Sequence, residues 1–289
     1  MFKSKKLVTA HIVENTVYIA VASFKSKKYI QVDHLDRLPL DEKELAKFVA
    51  EKKLKKKQVH LALGGKQIIT RVITIPDIPH KELSQALQWE VTKYIPIPPE
   101  ELIFDYQVLE KFVDTQGAQQ RILIVAARKQ LVESYCDILA KAGLRPAVVD
   151  VEGEILKKLF QTWGQTCTEP MTCCMFLEQK RGIFCFLKGE SLFFVHNFEW
   201  EQDINARLAS EYQRVVTYLQ RQFQLNSPVG IYILGPLANQ LIETQLQEEL
   251  GLNVKYMEFS QEQWKIKTNG EEFDLSYTFA VALHLREVG

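Results

Sequence analysis

Two stretches, residues 7–23 (LVTAHIVENTVYIAVAS) and residues 173–198 (CCMFLEQKRGIFCFLKGESLFFVHNF), decide how the chain folds. In the first, Leu7 to Val13 and Val17 to Ser23 are short apolar runs joined by a tight polar turn at Glu14-Asn15. A third run, Tyr29 to Leu35, follows a Lys-rich turn at 25–28, so the segment reads as a three-stranded meander. Asp41 to Lys57 then reads as a helix with Leu45, Phe48 and Val49 on one face, acids in its first turn and lysines in its last, and Val59 to Leu63 returns as a strand. In the second stretch, Cys173 to Leu177, Ile183 to Leu187 and Ser191 to Phe198 are again three strands, separated by EQKR and KG turns. Gln202 to Gln224 carries Ile204, Leu208, Val215, Leu219 and Phe223 at helical spacing. Val229 to Leu234 is a further strand, and a helix from Pro236 to Leu250 stops at Gly251.

The order β-β-β-α-β therefore occurs twice. That is the duplicated α/β plan of ribonuclease H-like domains, on which actin-like, Hsp70-like and sugar-kinase folds are built. Between the halves, about 64–145, sits an extra block: strand Gln67 to Ile75, helix His80 to Tyr94, strands Ile103 to Phe112 and Arg121 to Ala127, and helix Lys129 to Ala142. Its helices have apolar stripes, Leu83-Leu87-Val91-Tyr94 and Leu131-Tyr135-Ile138-Ala142, suited to covering one face of a small sheet. Asp150 to Thr162 reads as the helix that returns the chain to the first half. This gives a first domain over 1–163 that contains an inserted α+β subdomain, and a second domain over 164–289.

The 36 Lys and Arg balance 36 Asp and Glu, and 46% of the 289 residues are apolar. This excludes disorder and argues against a protein devoted to gripping nucleic acid, where affinity comes largely from cations that neutralise phosphates. No run approaches 18 apolar residues and the first residues do not read as a signal peptide, so a cytoplasmic protein is expected. The cysteines, Cys136, Cys167, Cys173, Cys174 and Cys185, lack zinc-knuckle spacing and read as reduced thiols used as small apolar residues.

Residues 75–109 (IPDIPHKELSQALQWEVTKYIPIPPEELIFDYQVL) and 121–152 (RILIVAARKQLVESYCDILAKAGLRPAVVDVE) carry A-L-Q-W-E, K-Y-I-P, an E-E and D-Y pair, V-A-A-R-K and A-G-L-x-P-x-x-V-D. With LASEYQRVVTYL at 208–219, YILGPLANQL at 232–241 and the closing DLSYTFAVALHLRE, these make nearly the whole chain resemble the type IV pilus assembly protein PilM family. The resemblance implies an actin-like fold of the FtsA kind, with the inserted subdomain of the FtsA/PilM type. It also implies a protein peripheral on the inner membrane that captures the short cytoplasmic N-terminal tail of the membrane protein PilN. In the family that tail lies in a groove between the first actin-like subdomain and the insert. Contacts with the pilus motor ATPases and the platform protein are further expected.

An actin-like cleft that holds Mg-ATP needs two glycine-containing hairpins, each with an aspartate at the end of its first strand to hold the metal and its waters. Laid on the first hairpin, His11 stands at the aspartate position, Val13 at the glycine and Tyr18 at the usual lysine. On the second, Met175 takes the aspartate position and Leu177 the glycine, followed by Glu178. At the adenosine strand Gly235-Pro236 replaces a Gly-Gly pair, and proline removes a backbone donor. A Val in place of Gly fills space that phosphate oxygens need, and glutamates without a metal repel a polyanion. Losing one preorganised electrostatic group costs about 3–4 kcal/mol of transition-state stabilisation. The expectation is a scaffold with no catalytic residue, no metal and no ATP cofactor. The alternatives are an actin-like ATPase with noncanonical ligands and the cytoplasmic component of a type II secretion system.

His11 reads as a packed strand-end histidine, since no Ser, Cys or carboxylate constellation can be assigned around it, with a general base in a repurposed cleft as the sharper alternative. Glu14 and Glu178 are candidates for a carboxylate pair across the cleft, and solvated turn residues are the default. The lysines at 52, 53 and 55–57 suit either a helix C-terminus or anionic lipid. Trp89, Tyr94, Ile95 and Pro96 to Pro99 form a rigid, aromatic and proline-rich corner that suits an extended peptide, with Tyr94 the better candidate for contact; the alternative, favoured for Trp89, is that it plugs the insert's core. Arg71 and Arg128, at strand ends of the same block, are candidates for acidic groups of a partner.

Overall fold

A computed structural model describes residues 6–24, 30–162, 171–201, 204–226, 228, 230–258, 260, 266–267 and 273–287. Cys167 and the Lys-rich turn at 25–28 lie outside the described residues. Two compact units are present: Met1–Gly64 with Leu139–Gly289, and Gly65–Ile138.

The first unit opens with β1 (Lys6–Val13), β2 (Thr16–Phe24) and β3 (Ile30–Pro39), an antiparallel meander whose first turn is closed at Val13↔Thr16, with Glu14 in the left-handed region at φ 52°. α1 (Glu42–Glu51) starts where the Asp41 carboxylate accepts from the backbone N–H of Lys43 and Glu44, at 2.9 and 3.1 Å. It buries Leu45, Phe48 and Val49 as expected, but it ends at Glu51 instead of Lys57. The stop is a Schellman turn: Lys53 N–H donates to Ala50 O (3.1 Å), Leu54 N–H to Val49 O (2.9 Å), and Lys53 takes φ 56°. Burying Leu54, which is 1% exposed, bends the chain away from the helix, so the lysines at 53 and 55–57 lie beyond its last turn. β4 (Gln58–Leu63) then pairs parallel to β1.

The second unit holds β5 (Ile69–Pro76), α2 (His80–Glu90), β6 (Leu102–Asp114) and β7 (Gly117–Arg128), the strands in the order β5-β7-β6 and antiparallel throughout. Its core joins Leu83, Leu87 and Val91 of the helical segment to Ile73, Ile122 and Ile124 of the sheet. After Glu90 the helix tightens to a 3-10 turn over Val91–Lys93. Three residues per turn advance the phase, so Ile95 enters the core at 1% exposure while Tyr94, expected on the apolar stripe, stays 41% exposed. Trp89 does not plug this core. It stands two residues after Leu87, on the opposite helix face, and is 75% exposed.

α3 (Lys129–Lys141) ends in a second Schellman turn, with Gly143 at φ 97°. There the chain re-enters the first unit as β8 (Arg145–Val151), a strand parallel to β4 where a loop and the start of a helix were expected. α4 (Glu152–Thr162) follows directly. Next come β9 (Thr172–Leu177), β10 (Arg181–Lys188), β11 (Ser191–Glu199), α5 (Asn205–Phe223), β12 (Gly230–Leu234), α6 (Gln240–Leu250) and β13 (Asn253–Tyr256). The short β14 (Ile266–Lys267) and α7 (Thr278–Ala282) close the chain.

The two large sheets share one order. β3-β2-β1-β4-β8 is matched by β11-β10-β9-β12-β13, and β14 adds a parallel strand outside β3. Two antiparallel hairpin strands followed by parallel strands, repeated, is the actin-like arrangement. α4 packs on β10 and β11 of one sheet and on β4 and β8 of the other. Gly153 permits that approach, since a Cβ there would lie 2.6 Å from Val195 Cγ2.

Candidate functional site

The two β1-β2 and β9-β10 hairpins bring the sequence-selected positions to the space between the large sheets of the first unit. His11, on β1 opposite Tyr18, is fully buried. Its ring lies 4.7 Å from that of Phe279 on α7 and 5.9 Å from that of Tyr18. Tyr18 in turn meets Tyr277 edge-on at 5.6 Å and carries the Arg37 guanidinium 5.4 Å over its face. Burial raises the Tyr18 hydroxyl pKa, partly offset by Arg37. Val13 is half-buried beside the turn, and Glu14 is exposed with no ion pair among the described residues.

On the second hairpin Met175 and Leu177 are fully buried, and the Phe176 ring lies 4.6 Å from the same Phe279 ring, tilted by 59°. Gly235 follows β12 with φ 110° and is pressed against the end of β9: a Cβ would lie 2.6 Å from Leu177 O and 2.9 Å from Leu177 N. Leu237 N–H donates to Leu177 O at 3.2 Å, and Pro236 is exposed. The backbone after β12 is thus seated on the backbone of β9.

At the centre is an ion cluster that sequence reading missed. Glu152, the first residue of α4 and 3% exposed, accepts from His11 Nε2 at 2.6 Å and from both terminal nitrogens of Arg181, at 3.0 Å to Oε2 and 2.5 Å to Oε1. Arg181 Nε donates to Glu178 Oε2 at 2.5 Å. An ionised carboxylate only accepts, so His11 Nε2 carries the hydrogen, and its Nδ1 is buried without a partner. Burial pushes the Glu152 carboxyl up, but the Arg181 charge and the His11 hydrogen bond outweigh it and hold the pKa at about 2. Burial lowers the Arg181 pKa, and the two glutamates more than restore it, leaving it raised. Gly64 makes room for the cluster, because a Cβ there would sit 1.9 Å from the Glu152 carboxyl carbon.

His11 therefore does have a carboxylate constellation, assembled from a residue 141 positions away. Glu178 is turned to Arg181 and is not half of a carboxylate pair with Glu14. Both Glu152 oxygens are committed, and among the described residues no group of His, Cys, Asp and Glu is arranged to hold a metal ion. The side chains at the two positions read from the sequence as metal anchors, an imidazole already bonded to Glu152 and a thioether, do not suit a hard Mg²⁺ ion, which prefers oxygen donors. Cys173, Cys174 and Cys185 are buried, and burial pushes the Cys173 and Cys185 thiols well up.

Residues 19–167 match the family model of the type IV pilus assembly protein PilM. The chain belongs to the PilM family. It is a component of pilus assembly. Among solved structures this PilM-family chain is similar to one described as a PilM-PilN type IV pilus biogenesis complex, at 20% identity and a TM-score of 0.74, covering 98% of each chain. It is also similar to the cytoplasmic domain of EpsL, an inner-membrane component of the type II secretion system of Vibrio cholerae, at 11% identity and a TM-score of 0.56, covering 98% of this chain and 95% of that one. A Bacteroides thetaiotaomicron protein with an actin-like ATPase fold matches at 10% identity and a TM-score of 0.53, covering 91% and 95%. No helix among the described residues of this PilM-family chain is long and apolar enough to cross a membrane.

The positions selected for partner contact all lie in the second unit of the PilM-family chain. Tyr94 and Pro96 are exposed, whereas Ile95 belongs to the core. Arg71 is exposed and donates to Thr70 O at 2.9 Å. Arg128 is ion-paired with Glu101 through NH1, so its charge is already matched. Trp89, exposed on α2, joins Tyr94 and Pro96 as a surface group of the same helical segment.

Proposed function

We propose that this PilM-family chain is a non-catalytic adaptor of the pilus machine that binds the short cytoplasmic N-terminal tail of a PilN-like inner-membrane protein and does not use ATP. The observation that carries the reading is the filling of the hairpin region. His11, Met175, Leu177 and Phe279 are fully buried there, and the buried Glu152 carboxylate is neutralised by Arg181. A triphosphate with its Mg²⁺ requires open backbone amides and free oxygen ligands, and the residues at these positions offer neither. Tail capture is supported by the solved relative whose description pairs PilM with PilN, and by the aromatic and proline groups exposed in the second unit. Tyrosine and tryptophan anchors give binding energy at low entropic cost.

The test is a titration of the protein with the fluorescently labelled N-terminal peptide of the PilN-like protein from the same machine. Saturable binding is expected, with Tyr94→Ala weakening it about thirtyfold, the effect of one hot-spot anchor of about 2 kcal/mol. Absence of saturable binding overturns the adaptor reading. Millimolar ATP with Mg²⁺ should leave the melting temperature unchanged, because a ligand stabilises only the state it binds. A Mg²⁺-dependent rise would overturn the claim that the nucleotide site is closed.

A further inference from the structure

The strongest unused feature is a set of cations at one end of the first unit's six-stranded sheet. β4 and β8 run parallel with Gln58 opposite Arg145, and the segments entering them are bonded together: Lys56 N–H donates to Gly143 O (2.7 Å) and Arg145 N–H to Lys57 O (2.8 Å). This brings Lys53, Lys55, Lys56, Lys57, Lys141 and Arg145 to one strand end, opposite in strand direction to Val151 and the Glu152 cluster that follows it. All six are exposed, and none makes an ion pair among the described residues. Five arginines elsewhere, Arg121, Arg128, Arg181, Arg214 and Arg286, each hold a carboxylate, and other cations without an ion pair among the described residues, such as Lys180, Arg207, Arg221 and Lys255, lie on the β9-β10 turn, α5 and β13. In a chain of zero net charge, these six cations are gathered at one strand end without an ion pair among the described residues.

The backbone reinforces the point. Lys53 and Lys56 hold φ of 56° and 62°, a region that favours glycine or asparagine, yet both turns carry lysine. We propose that this strand end is a docking surface for anionic phospholipid, placing the protein on the membrane by electrostatics that need no spanning helix. Five of the six cations are lysines, point charges suited to a diffuse layer of headgroups, where nucleic-acid recognition draws on arginine forks and stacking aromatics. The patch contains no aromatic residue. The proposal is independent of tail capture, because it concerns a different surface and needs no peptide.

The test is sedimentation of the full chain, without peptide, with vesicles of phosphatidylglycerol and phosphatidylcholine and with vesicles of phosphatidylcholine alone. Binding only to the anionic vesicles is expected, and it should fall steeply with added salt. Each cation near such a surface contributes about fivefold, so Lys53→Gln, Lys55→Gln, Lys56→Gln and Lys57→Gln together should weaken partitioning several-hundred-fold, to about 600-fold at most. A charge-matched control, with Lys180, Arg207, Arg221 and Lys255 changed to glutamine, should retain most of it. Equal binding to neutral vesicles, no binding to anionic ones, or equal losses in the two variants would each overturn the assignment. If the patch variant fails to fold, the wild-type comparison of the two vesicle types and its salt dependence decide alone.

Discussion

Replacing Arg181 with methionine keeps an unbranched stem but removes the guanidinium that gives Glu152 two hydrogen bonds, at 3.0 and 2.5 Å. The carboxylate is 3% exposed and would lose that cation while keeping the hydrogen bond from His11. In the intact cluster its pKa is about 2 against an ordinary 4.5, and at about 1.36 kcal/mol per pH unit that difference is about 3 kcal/mol of stability at neutral pH. Breaking one side of a buried ion pair costs about 3–5 kcal/mol, so two routes give the same magnitude. Because the folded value is depressed, the contribution is present above pH 4.5 and disappears as pH falls towards 2. In the variant, burial without Arg181 raises the carboxyl, so its penalty is relieved on acidification. Urea unfolding at pH 7 should show a loss of about 3 kcal/mol for Arg181→Met, and the gap from wild type should narrow at pH 4. Adding Glu152→Gln should recover part of the loss, since the unpaired charge is then gone. A loss under about 1 kcal/mol at pH 7, or a gap that widens with acid, would refute the account of the cluster.

Gly235→Ala should cost about 3 kcal/mol in thermal or urea unfolding, since the new Cβ meets the Leu177 backbone at 2.6 Å and φ is 110°. A neutral result would mean that the β9 and β12 ends are not seated on each other. Trp89→Ala should change the melting free energy by less than about 0.5 kcal/mol, as for an exposed side chain, whereas a core-sized loss would return it to the interior. His284 is fully buried and burial holds its pKa at about 3, below the ordinary 6.5, so the neutral ring stabilises the fold above pH 6.5 and that contribution is lost as pH falls towards 3. His284→Gln should therefore flatten the decline in urea stability between pH 7 and pH 5.

Much of the fold was legible because its signals are local. The three-strand meanders alternate apolar runs with two- to four-residue turns, and the helix faces of α1, α2 and α5 repeat at 3.6 residues. β8 escaped because its residues are only half covered, Pro146 interrupts the strand signal, and Asp150 looks like a helix cap, whereas its carboxylate bonds Val151 N–H at 2.9 Å and pairs with Arg286. The length of α1 was overestimated because lysines have good helix propensity. Leu54, a single buried residue, outweighs that propensity and stops the helix.

At the site, the sequence alone singled out His11, Val13, Met175 and Leu177, read as the positions where a metal-binding hairpin would carry carboxylate and glycine, because such a reading is made one residue at a time. What surrounds those positions was decided only by tertiary structure. His11, Glu152, Arg181 and Phe279 are separated by up to 268 positions and share no periodicity, so their meeting depends on how β1, α4, β10 and α7 pack between the two sheets. Burial then sets their chemistry, because a carboxylate deprived of water is tolerable only beside the cation and the imidazole that the fold delivers to it.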